Sequence, residues 1–366
     1  MSNNNFTSFW QSPLWSDILS RTQQAENIWH TFQGNTVLIE RRKIVGNSTG
    51  LYILWVEESS ITQECLDDIS QKVVRKADLF LQIEPLSYSI EKQREESKEK
   101  REGIDVICPL DKGGQGGLKN IDIGQWEWKR GCLLNWKAPF RRFIEPVTAI
   151  IPLSNATEEK IFQNFKEKWR YNIRVAEKRG VTTEWVSGDD ICTFLSPRWK
   201  SYGTKTYAEV FFDLLEETTQ RDKFSHNTLR YYQTFLRVLE AKNAGGLLIA
   251  VKENTLHAAG IFVYWGKHAL YYYGASASSS DIRRDNGTYL VQWHAIREAL
   301  RRGCVNYDFL GISSREWDKL AGVTTFKMQF SPEKVIIPPE KVIIFHPRLL
   351  KMFQWANKLR KILRFR

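Results

Sequence analysis

Alternating and helical patterns of apolar residues predict an α/β unit in the N-terminal third of the chain. Residues 36–42 and 51–56 are predicted strands, and the glycine-containing turn between them indicates a β-hairpin. Apolar residues at helical spacing predict a helix over 61–77, and the compact apolar run 79–83 predicts a strand that ends before Pro85. A helix that leads into a strand is typical of an α/β fold.

A second lobe is predicted to begin near Pro146, with a strand at residues 148–153. Asn155 is placed to cap the following helix and Gly180 to end it. Three apolar strands joined by short polar turns then indicate an antiparallel meander over 247–252, 258–265 and 269–273. Because 366 residues exceed one ordinary core, we expect an α/β (α+β) chain with two lobes that contain mixed sheets.

The stretch 270–330 combines strand, turn, helix and strand in this second lobe. Strict alternation would place Tyr271 and Tyr273 on one face of a strand, where they line a cleft, and Tyr272 on the other face. The helix that follows is predicted to begin at Gly287, and its free amides could hold an anion. Its predicted buried stripe contains Leu290, Trp293, Ile296 and Leu300.

Composition indicates a folded, basic protein. Fourteen Trp, thirteen Tyr and twenty Phe, with 42% apolar residues, exclude a disordered chain. A formal charge of +11 and a pI near 9.3 favour a polyanionic partner, either a phosphate backbone or an anionic membrane face.

The cysteines and the N-terminus predict a cytoplasmic protein without a metal site. The five cysteines are scattered, lack a CxxC pair and are interpreted as reduced thiols: Cys65, Cys108, Cys132, Cys192 and Cys304. The first residues are polar and uncharged, and no apolar run reaches the ~18 residues needed to span a bilayer. We therefore expect neither export nor a transmembrane segment.

Four cations recur every four residues along the predicted helix that precedes Gly180. They are Lys166, Arg170, Arg174 and Lys178, and the spacing aligns them on one side of the helix. Two interpretations remain open: a solvated charged face, or a ridge that binds phosphates of an RNA such as an acceptor stem.

Several motifs together resemble a known family. They are KWRYNIRVAEKRGV at 168–181, ETTQRD at 217–222, YYYGAS at 271–276, YDF at 307–309 and FK at 326–327. In this order and spacing they resemble the FemABX peptidyltransferases, which build interpeptide bridges of peptidoglycan from aminoacyl-tRNA. The resemblance covers residues 148–330 well and the N-terminal third more loosely.

The resemblance implies a fold and a set of partners. The family has two lobes that resemble GNAT acetyltransferases, which implies a first lobe of residues 1–147, completed by 332–366, and a second of 148–331. This chain looks like the short members that lack a coiled-coil arm. We expect a monomer that uses aminoacyl-tRNA as co-substrate, needs no cofactor, and acts on a peptidoglycan precursor, lipid-linked or UDP-linked.

The resemblance also implies site residues. Lys327, preceded by Phe326, matches the family's catalytic lysine, and the tyrosines that match the precursor cleft are Tyr231, Tyr271 and Tyr273. The chain departs from the pattern at three positions of the precursor-binding cleft: Asn227 stands where the family has a precursor-binding arginine, Glu84 where it has an aspartate, and Leu79 where it has a tyrosine that contacts the precursor. Losing those contacts favours a lipid-linked precursor over a soluble UDP-linked one.

An aminoacyl ester is already activated, so the chemistry requires only orientation of an amine, proton transfer and oxyanion stabilisation. Lys327 offers a positive charge for the oxyanion or for the terminal phosphates of tRNA. Glu84 either accepts the amine proton or serves as a structural hydrogen-bond acceptor. Asp308 either braces loops or touches substrate.

Two other functions compete with this one. An acyl-CoA-dependent N-acyltransferase would cradle a pyrophosphate before the helix at Gly287, but the turn there has one glycine where several are expected. A non-catalytic RNA-binding or membrane-surface protein would also explain the charge. The tail 348–366 has seven Lys or Arg and no acid, and it is expected either to dock on the anionic cytoplasmic leaflet or to pack on the first lobe.

Overall fold

The computed structural model describes residues 8–86, 133–134, 143, 145–186, 205–222, 225–313, 321–338 and 340–363. The predicted charged segment 91–102, the glycine loop 114–117 and three of the five cysteines lie outside these residues. The chain divides into two compact units: one comprises residues up to 27 and from 144 to 334, and the other comprises 28–143 and the residues from 335 on.

The elements of the N-terminal part, in chain order, are α1 (Pro13–Thr22), β1 (Glu26–Phe32), β2 (Asn35–Val45), β3 (Ser48–Glu57), α2 (Gln63–Lys72), β4 (Asp78–Leu86), β5 (Leu133–Leu134) and β6 (Val147–Pro152). From there to the middle of the second sheet they are α3 (Glu158–Asn164), α4 (Glu167–Lys178), β7 (Thr182–Val186), α5 (Tyr207–Asp222), α6 (Leu229–Ala241), β8 (Gly245–Lys252), β9 (Thr255–Trp265) and β10 (His268–Ser276). The remaining elements are α7 (Ser280–Arg283), α8 (Gly287–Arg301), β11 (Asn306–Gly311), α9 (Ala321–Met328), β12 (Glu333–Ile336), β13 (Lys341–Ile344) and α10 (Pro347–Leu363).

The unit of residues 28–143 contains a mixed sheet of strand order β1-β2-β3-β4-β13-β5. The predicted hairpin is confirmed, because β2 and β3 pair antiparallel, and α2 then connects β3 to the parallel strand β4. Strand β13 returns late in the chain and pairs with residues 80–83 of β4. Apolar side chains of the strands and of α2 form the core of this unit, among them Ile53 of β3, Leu66 of α2 and Leu81 of β4.

The other unit contains a seven-stranded mixed sheet of order β12-β6-β11-β10-β9-β8-β7. The meander is confirmed, since β8, β9 and β10 pair antiparallel in sequence, and α8 then crosses over to the parallel strand β11. Helices α3, α4 and α8 bury their apolar stripes in one large core on one face of this sheet. Helices α5 and α6 pack against β10 and β8 with a different set of side chains. The α/β class with two mixed sheets is therefore confirmed.

The N-terminal residues lie in a different unit from the one the sequence suggested. The predicted boundary assigned residues 1–147 to one lobe, whereas residues up to 27 cluster with the seven-stranded sheet. Helix α1 packs against α6, and the ring of Phe9 meets Phe235 at 6.4 Å and Tyr272 at 5.6 Å between centroids. These aromatic contacts are between residues more than two hundred positions apart, so no local pattern predicts them.

The helix predicted to run from Asn155 to Gly180 is two helices. Backbone at Phe165 and Lys166 is extended, and the amide of Lys166 donates to the carbonyl of Gln329 (3.2 Å). The N-terminal cap is the hydroxyl of Thr157, which accepts from the amide of Lys160, and not Asn155. Gly180 has φ +78° and ends the second helix as predicted. The ring of Phe165 is buried in the core of this unit. The break between the two helices allows the ring to reach that position.

Candidate active site

Lys327 is a buried lysine on the last turn of the short helix α9 (7% exposed). Its Nζ donates to the carbonyl of Gly311 (2.8 Å) and lies 3.5 Å from the carbonyl of Leu310. An ammonium group has three N–H donors, so one remains beyond these two carbonyls. Helix α9 otherwise carries mainly apolar residues, and its packing directs the lysine inward against the end of β11.

A β-bulge builds the acceptor for this lysine. The pairing of β11 with β6 shifts register between Asp308 and Gly311, and Leu310 within the shift has φ +58°, a left-handed conformation that is strained for leucine. Asp308 holds this conformation, because its Oδ1 accepts from the amide of Leu310 (2.7 Å) and from the hydroxyl of Thr148. This left-handed turn directs the carbonyls of Leu310 and Gly311 toward Lys327. Backbone strain of this kind clusters at functional sites.

Burial moves the pKa values of both ionisable groups toward neutrality. Desolvation lowers the pKa of Lys327 to about 8, although the charges of Asp308 and Glu145 oppose the fall. Desolvation raises the pKa of Asp308 to about 6, against the hydrogen bonds from Thr148 and Leu310 and the charge of Lys327. The second oxygen of Asp308, Oδ2, is buried and has no hydrogen-bond partner among the described residues. At neutral pH the site therefore contains an ammonium and a carboxylate, and each has a pKa close enough to neutrality to give up or accept a proton.

Tyr271 forms the wall beside this pair. Its ring centroid lies 5.9 Å from Lys327 Nζ, and the ring stacks on Phe262 at 5.5 Å. Burial raises the pKa of Tyr271 to about 12, so the phenol is protonated at any physiological pH. A Cβ on Gly274 would lie 1.6 Å from the Tyr271 hydroxyl oxygen, so the glycine is required for the tyrosine to lie across the strand.

A second bulge divides the tyrosines of β10 differently from the predicted alternation. The register with β9 shifts between Tyr271 and Tyr273, which leaves Tyr272 as the extra residue. Consequently Tyr272 and Tyr273 both contact Phe235 of α6, at 5.0 and 6.1 Å, while Tyr271 points to the α8 side with Phe262. The prediction that Tyr271 and Tyr273 share a face is wrong, because a bulge places two successive side chains on one side.

Tyr273 belongs to a separate polar cluster with Tyr231 and Asn227. Its hydroxyl lies 3.3 Å from that of Tyr231 and accepts from Asn227 Nδ2 at 3.1 Å. The side-chain oxygen of Asn227 in turn accepts from Gln24 Nε2 (3.3 Å), which ties the cluster to the N-terminal residues of the same unit. Burial raises the pKa of Tyr231 well above its ordinary value, so its hydroxyl also stays protonated. Three of the predicted precursor-binding residues therefore meet, apart from Tyr271.

The other residues predicted from the family pattern lie in the packed interior. Phe326 packs against Tyr289 (5.5 Å) and Phe330 (5.4 Å), next to the core of the seven-stranded sheet. Leu79 is 1% exposed on β4, so it is a core residue at the position where the family has a tyrosine.

Glu84 lies in β4, in the unit of residues 28–143, and is 2% exposed. Its Oε1 accepts from Gln82 Nε2 (2.7 Å) and from the amide of Phe143 (3.0 Å). These bonds fit the structural interpretation of this carboxylate; its catalytic role stays a prediction.

The four cations of the predicted phosphate ridge have different environments. Arg170 donates to the carbonyls of Gln163 (2.7 Å) and Phe165 (2.6 Å), so it caps the end of α3. The guanidinium of Arg174 lies 5.4 Å from the ring centroid of Phe162 and borders an open pocket of about 450 Å³. Lys166 and Lys178 are exposed. Two of the four side chains thus have structural partners, and the ridge stays a prediction.

The start of α8 already carries a carboxylate. Asp285 lies just before this helix, and its Oδ2 accepts from Lys252 Nζ (2.9 Å), while Arg179 lies 3.4 Å from Oδ1. Burial opposes the ionisation of Asp285, but the hydrogen bond and charge of Lys252 hold its pKa below the ordinary value. An anionic ligand at this helix terminus would meet a like charge, which disfavours the predicted anion site.

Within the described ranges, no group of three or more His, Cys, Asp or Glu side chains is arranged to hold a metal ion. None of the helices in those ranges has the length and apolar content needed to cross a bilayer.

Three members of the site around Lys327 are not apparent from the sequence: Thr148, Leu310 and Glu145. A leucine followed by glycine after Asp308 was the one visible signal of an irregular strand end. The residue that donates to Asp308 comes from β6, a strand about 160 residues earlier, and no sequence spacing indicates it.

Comparison with known proteins gives consistent matches. The model of the FemAB family matches residues 144–250 and 240–358. Aminoacyltransferase FemA of Staphylococcus aureus strain MRSA252 is 27% identical over 199 residues, which are 53% of this chain and 44% of FemA. FemA of strain N315 is 23% identical over 246 residues, 53% of this chain and 58% of FemA. The matches thus span about half the length of these curated relatives.

A crystal structure of FemX has the same fold, with a TM-score of 0.64 and 15% identity over 95% of this chain and 94% of that chain. The family match covers Lys327, Asp308 and the three tyrosines Tyr231, Tyr271 and Tyr273, and it does not reach Glu84.

Proposed function

This chain belongs to the FemAB family, and on that premise we propose that it is an aminoacyltransferase of peptidoglycan bridge synthesis. It transfers an amino acid from aminoacyl-tRNA to an amine of the precursor stem peptide. The proposal locates the enzyme in the cytoplasm, where charged tRNA is present. The observation that carries it is the buried ammonium of Lys327, held by the carbonyls of Leu310 and Gly311 at a left-handed turn beside a buried carboxylate.

The lysine suits the negative charge that develops on the carbonyl oxygen in this reaction. The attacking nitrogen forms a bond to the ester carbon, and the carbonyl oxygen becomes an oxyanion until the ribose oxygen leaves. The proton that the nitrogen gives up is matched by the proton that the ribose hydroxyl gains. With a pKa of about 8, Lys327 is mainly an ammonium at neutral pH, and its remaining N–H can donate to the oxyanion.

Asp308 and the bulge preorganise that donor. The carboxylate raises the pKa of Lys327 and so favours its charged form, while its hydrogen bond to the Leu310 amide holds the carbonyls in place. The acceptors are backbone carbonyls, which do not change protonation state, so they continue to accept from the lysine as the pH changes. The donor is therefore oriented before the charge appears, which is the arrangement that lowers a barrier most.

Precursor binding is assigned to two surfaces. Tyr271 lies at the reaction centre, whereas Tyr231, Tyr273 and Asn227 present phenol and amide groups on the α6 side of the sheet. The missing arginine at Asn227 and the buried Leu79 support a lipid-linked acceptor over a UDP-linked one.

The acyl-CoA alternative is weaker on this structure. A pyrophosphate at the start of α8 would approach the carboxylate of Asp285, which already binds Lys252. A non-catalytic binding protein would have no need of a buried lysine held by a strained strand, since burial of that charge costs stability.

The test is transfer of a labelled amino acid from charged tRNA to the amine of a lipid-linked or UDP-linked muropeptide. We expect labelled product with the lipid-linked acceptor, none with acyl-CoA as donor, and transfer roughly 30- to 1000-fold slower with the Lys327→Met variant. Acyl transfer from CoA alone would establish the alternative enzyme. Absence of transfer from both donors by folded protein would reject both enzymatic functions.

The tRNA surface has its own experiment. If the ridge binds phosphates, Lys166→Glu/Lys178→Glu should weaken charged-tRNA binding and reduce the salt slope by about 2. Lys242→Glu/Lys267→Glu changes the same net charge at exposed positions elsewhere and is the control. Equal affinities and slopes in the two variants would mean that the ridge is a solvated face.

A further inference from the structure

Helix α10 has a buried side and an exposed side. Leu350 is 1% exposed, the helix packs on β4, and Leu349 and Phe353 are partly buried. Met352 and Trp355 are 58% and 72% exposed. Part of the apolar surface of this helix therefore anchors it, and the rest, Met352 with Trp355, faces solvent.

Cations flank the exposed apolar residues. Arg348 and Lys351 are exposed, and successive spacings of three or four residues place them on the same side as Met352 and Trp355. Over residues 348–366 the sequence has seven Lys or Arg and no Asp or Glu. One helix side thus combines a large amphipathic ring, a flexible apolar chain and two exposed cations, Arg348 and Lys351.

We propose that this side of α10 docks on an anionic lipid surface, with Trp355 and Met352 among the headgroups and Arg348 and Lys351 against lipid phosphates. Indole rings favour the boundary between water and hydrocarbon, and basic residues beside them bind anionic headgroups. An RNA phosphate backbone would take up the cations but would leave Met352 without a partner. A protein groove would take up the apolar pair but has no reason to require seven cations.

The experiment is co-sedimentation of the full chain with vesicles of phosphatidylcholine alone or mixed with phosphatidylglycerol. We expect tighter binding to the mixed vesicles than to phosphatidylcholine alone, and salt should weaken this binding without abolishing it. Arg348→Glu/Lys351→Glu should lower the partition coefficient at least about tenfold. Met352→Ser/Trp355→Ser should abolish the binding that survives high salt, because that part is apolar.

Two control variants make the result specific to this helix. Lys242→Glu/Lys267→Glu changes the same charge elsewhere, and Ile336→Ser removes another exposed apolar side chain, 60% exposed, from β12. Both controls should bind vesicles as the unmodified chain does. All substituted side chains are exposed, and equal melting temperatures would verify that the fold is retained.

Equal vesicle binding by all variants would overturn the proposal, as would absence of binding to mixed vesicles. Binding of uncharged tRNA that falls in Arg348→Glu/Lys351→Glu, with vesicle binding unchanged, would make α10 an RNA surface instead. Vesicle binding needs no substrate, so its failure would leave the proposed acyl transfer standing, and failed transfer would leave membrane docking standing.

Discussion

Replacing Lys327 with methionine should slow transfer while the protein stays folded. Methionine fills a similar volume, whereas the ammonium that donates to Gly311 is removed. If that ammonium stabilises the oxyanion, the barrier should rise by about 2 to 4 kcal/mol, which is roughly 30- to 1000-fold in rate. The fall should appear in kcat, because the charge exists only in the transition state.

The pH dependence separates this role from a structural one. Since the pKa of Lys327 is about 8, the ammonium, and with it the catalytic effect, is lost as pH rises through that value. An arginine stays charged at these pH values. The ratio of the wild-type rate to that of Lys327→Arg should therefore fall above about pH 8, and using the ratio cancels the titration of the attacking amine.

The Asp308→Asn variant should lower the pKa of Lys327. The carboxylate raises the pKa of Lys327, so removing its charge should move the alkaline loss of activity to lower pH. The assay is single-turnover transfer of labelled amino acid from charged tRNA, with hydrolysis measured in parallel without enzyme. Wild-type turnover by folded Lys327→Met, or an alkaline limb unchanged by Asp308→Asn, would refute the reasoning.

Three further outcomes follow from the same unit. Asp308→Asn/Lys327→Met should raise the free energy of unfolding by about 1 to 4 kcal/mol, most between pH 6 and 8. In that range both groups are charged in the folded protein, the aspartate above its folded pKa and the lysine below its folded pKa, and burial disfavours both charges. Denaturant melts across pH measure the effect, and an equal or lower free energy of unfolding in the variant would contradict it. Gly274→Ala should cost about 1 to 3 kcal/mol, measured the same way, since its Cβ would overlap the Tyr271 hydroxyl; an unchanged midpoint would show that the ring moves freely. Tyr273→Phe should raise KM for the precursor with little change in kcat, and the reverse pattern would remove this hydroxyl from binding.

Local pattern determined much of the architecture. The hairpin of β2 and β3, the meander of β8 to β10 and the start of α8 at Gly287 all follow from periodicity and turn residues, which act between neighbours in sequence. The family motifs in residues 168–327 are likewise legible in the chain itself, and the family they indicate is confirmed by the match over residues 144–358.

Tertiary structure alone decided the geometry of the site. Both bulges lie in strands that pair with a neighbour on each side, so the faces of Tyr271 and Tyr273 and the left-handed turn at Leu310 depend on partners far away in sequence. The charge state of Lys327 is a further case, since burial and the charges of Asp308 and Glu145 set its pKa, while the sequence shows only a lysine after a phenylalanine. Periodicity records which residues prefer to be buried. Which polar groups are buried together is fixed by long-range packing, and the chemistry depends on that.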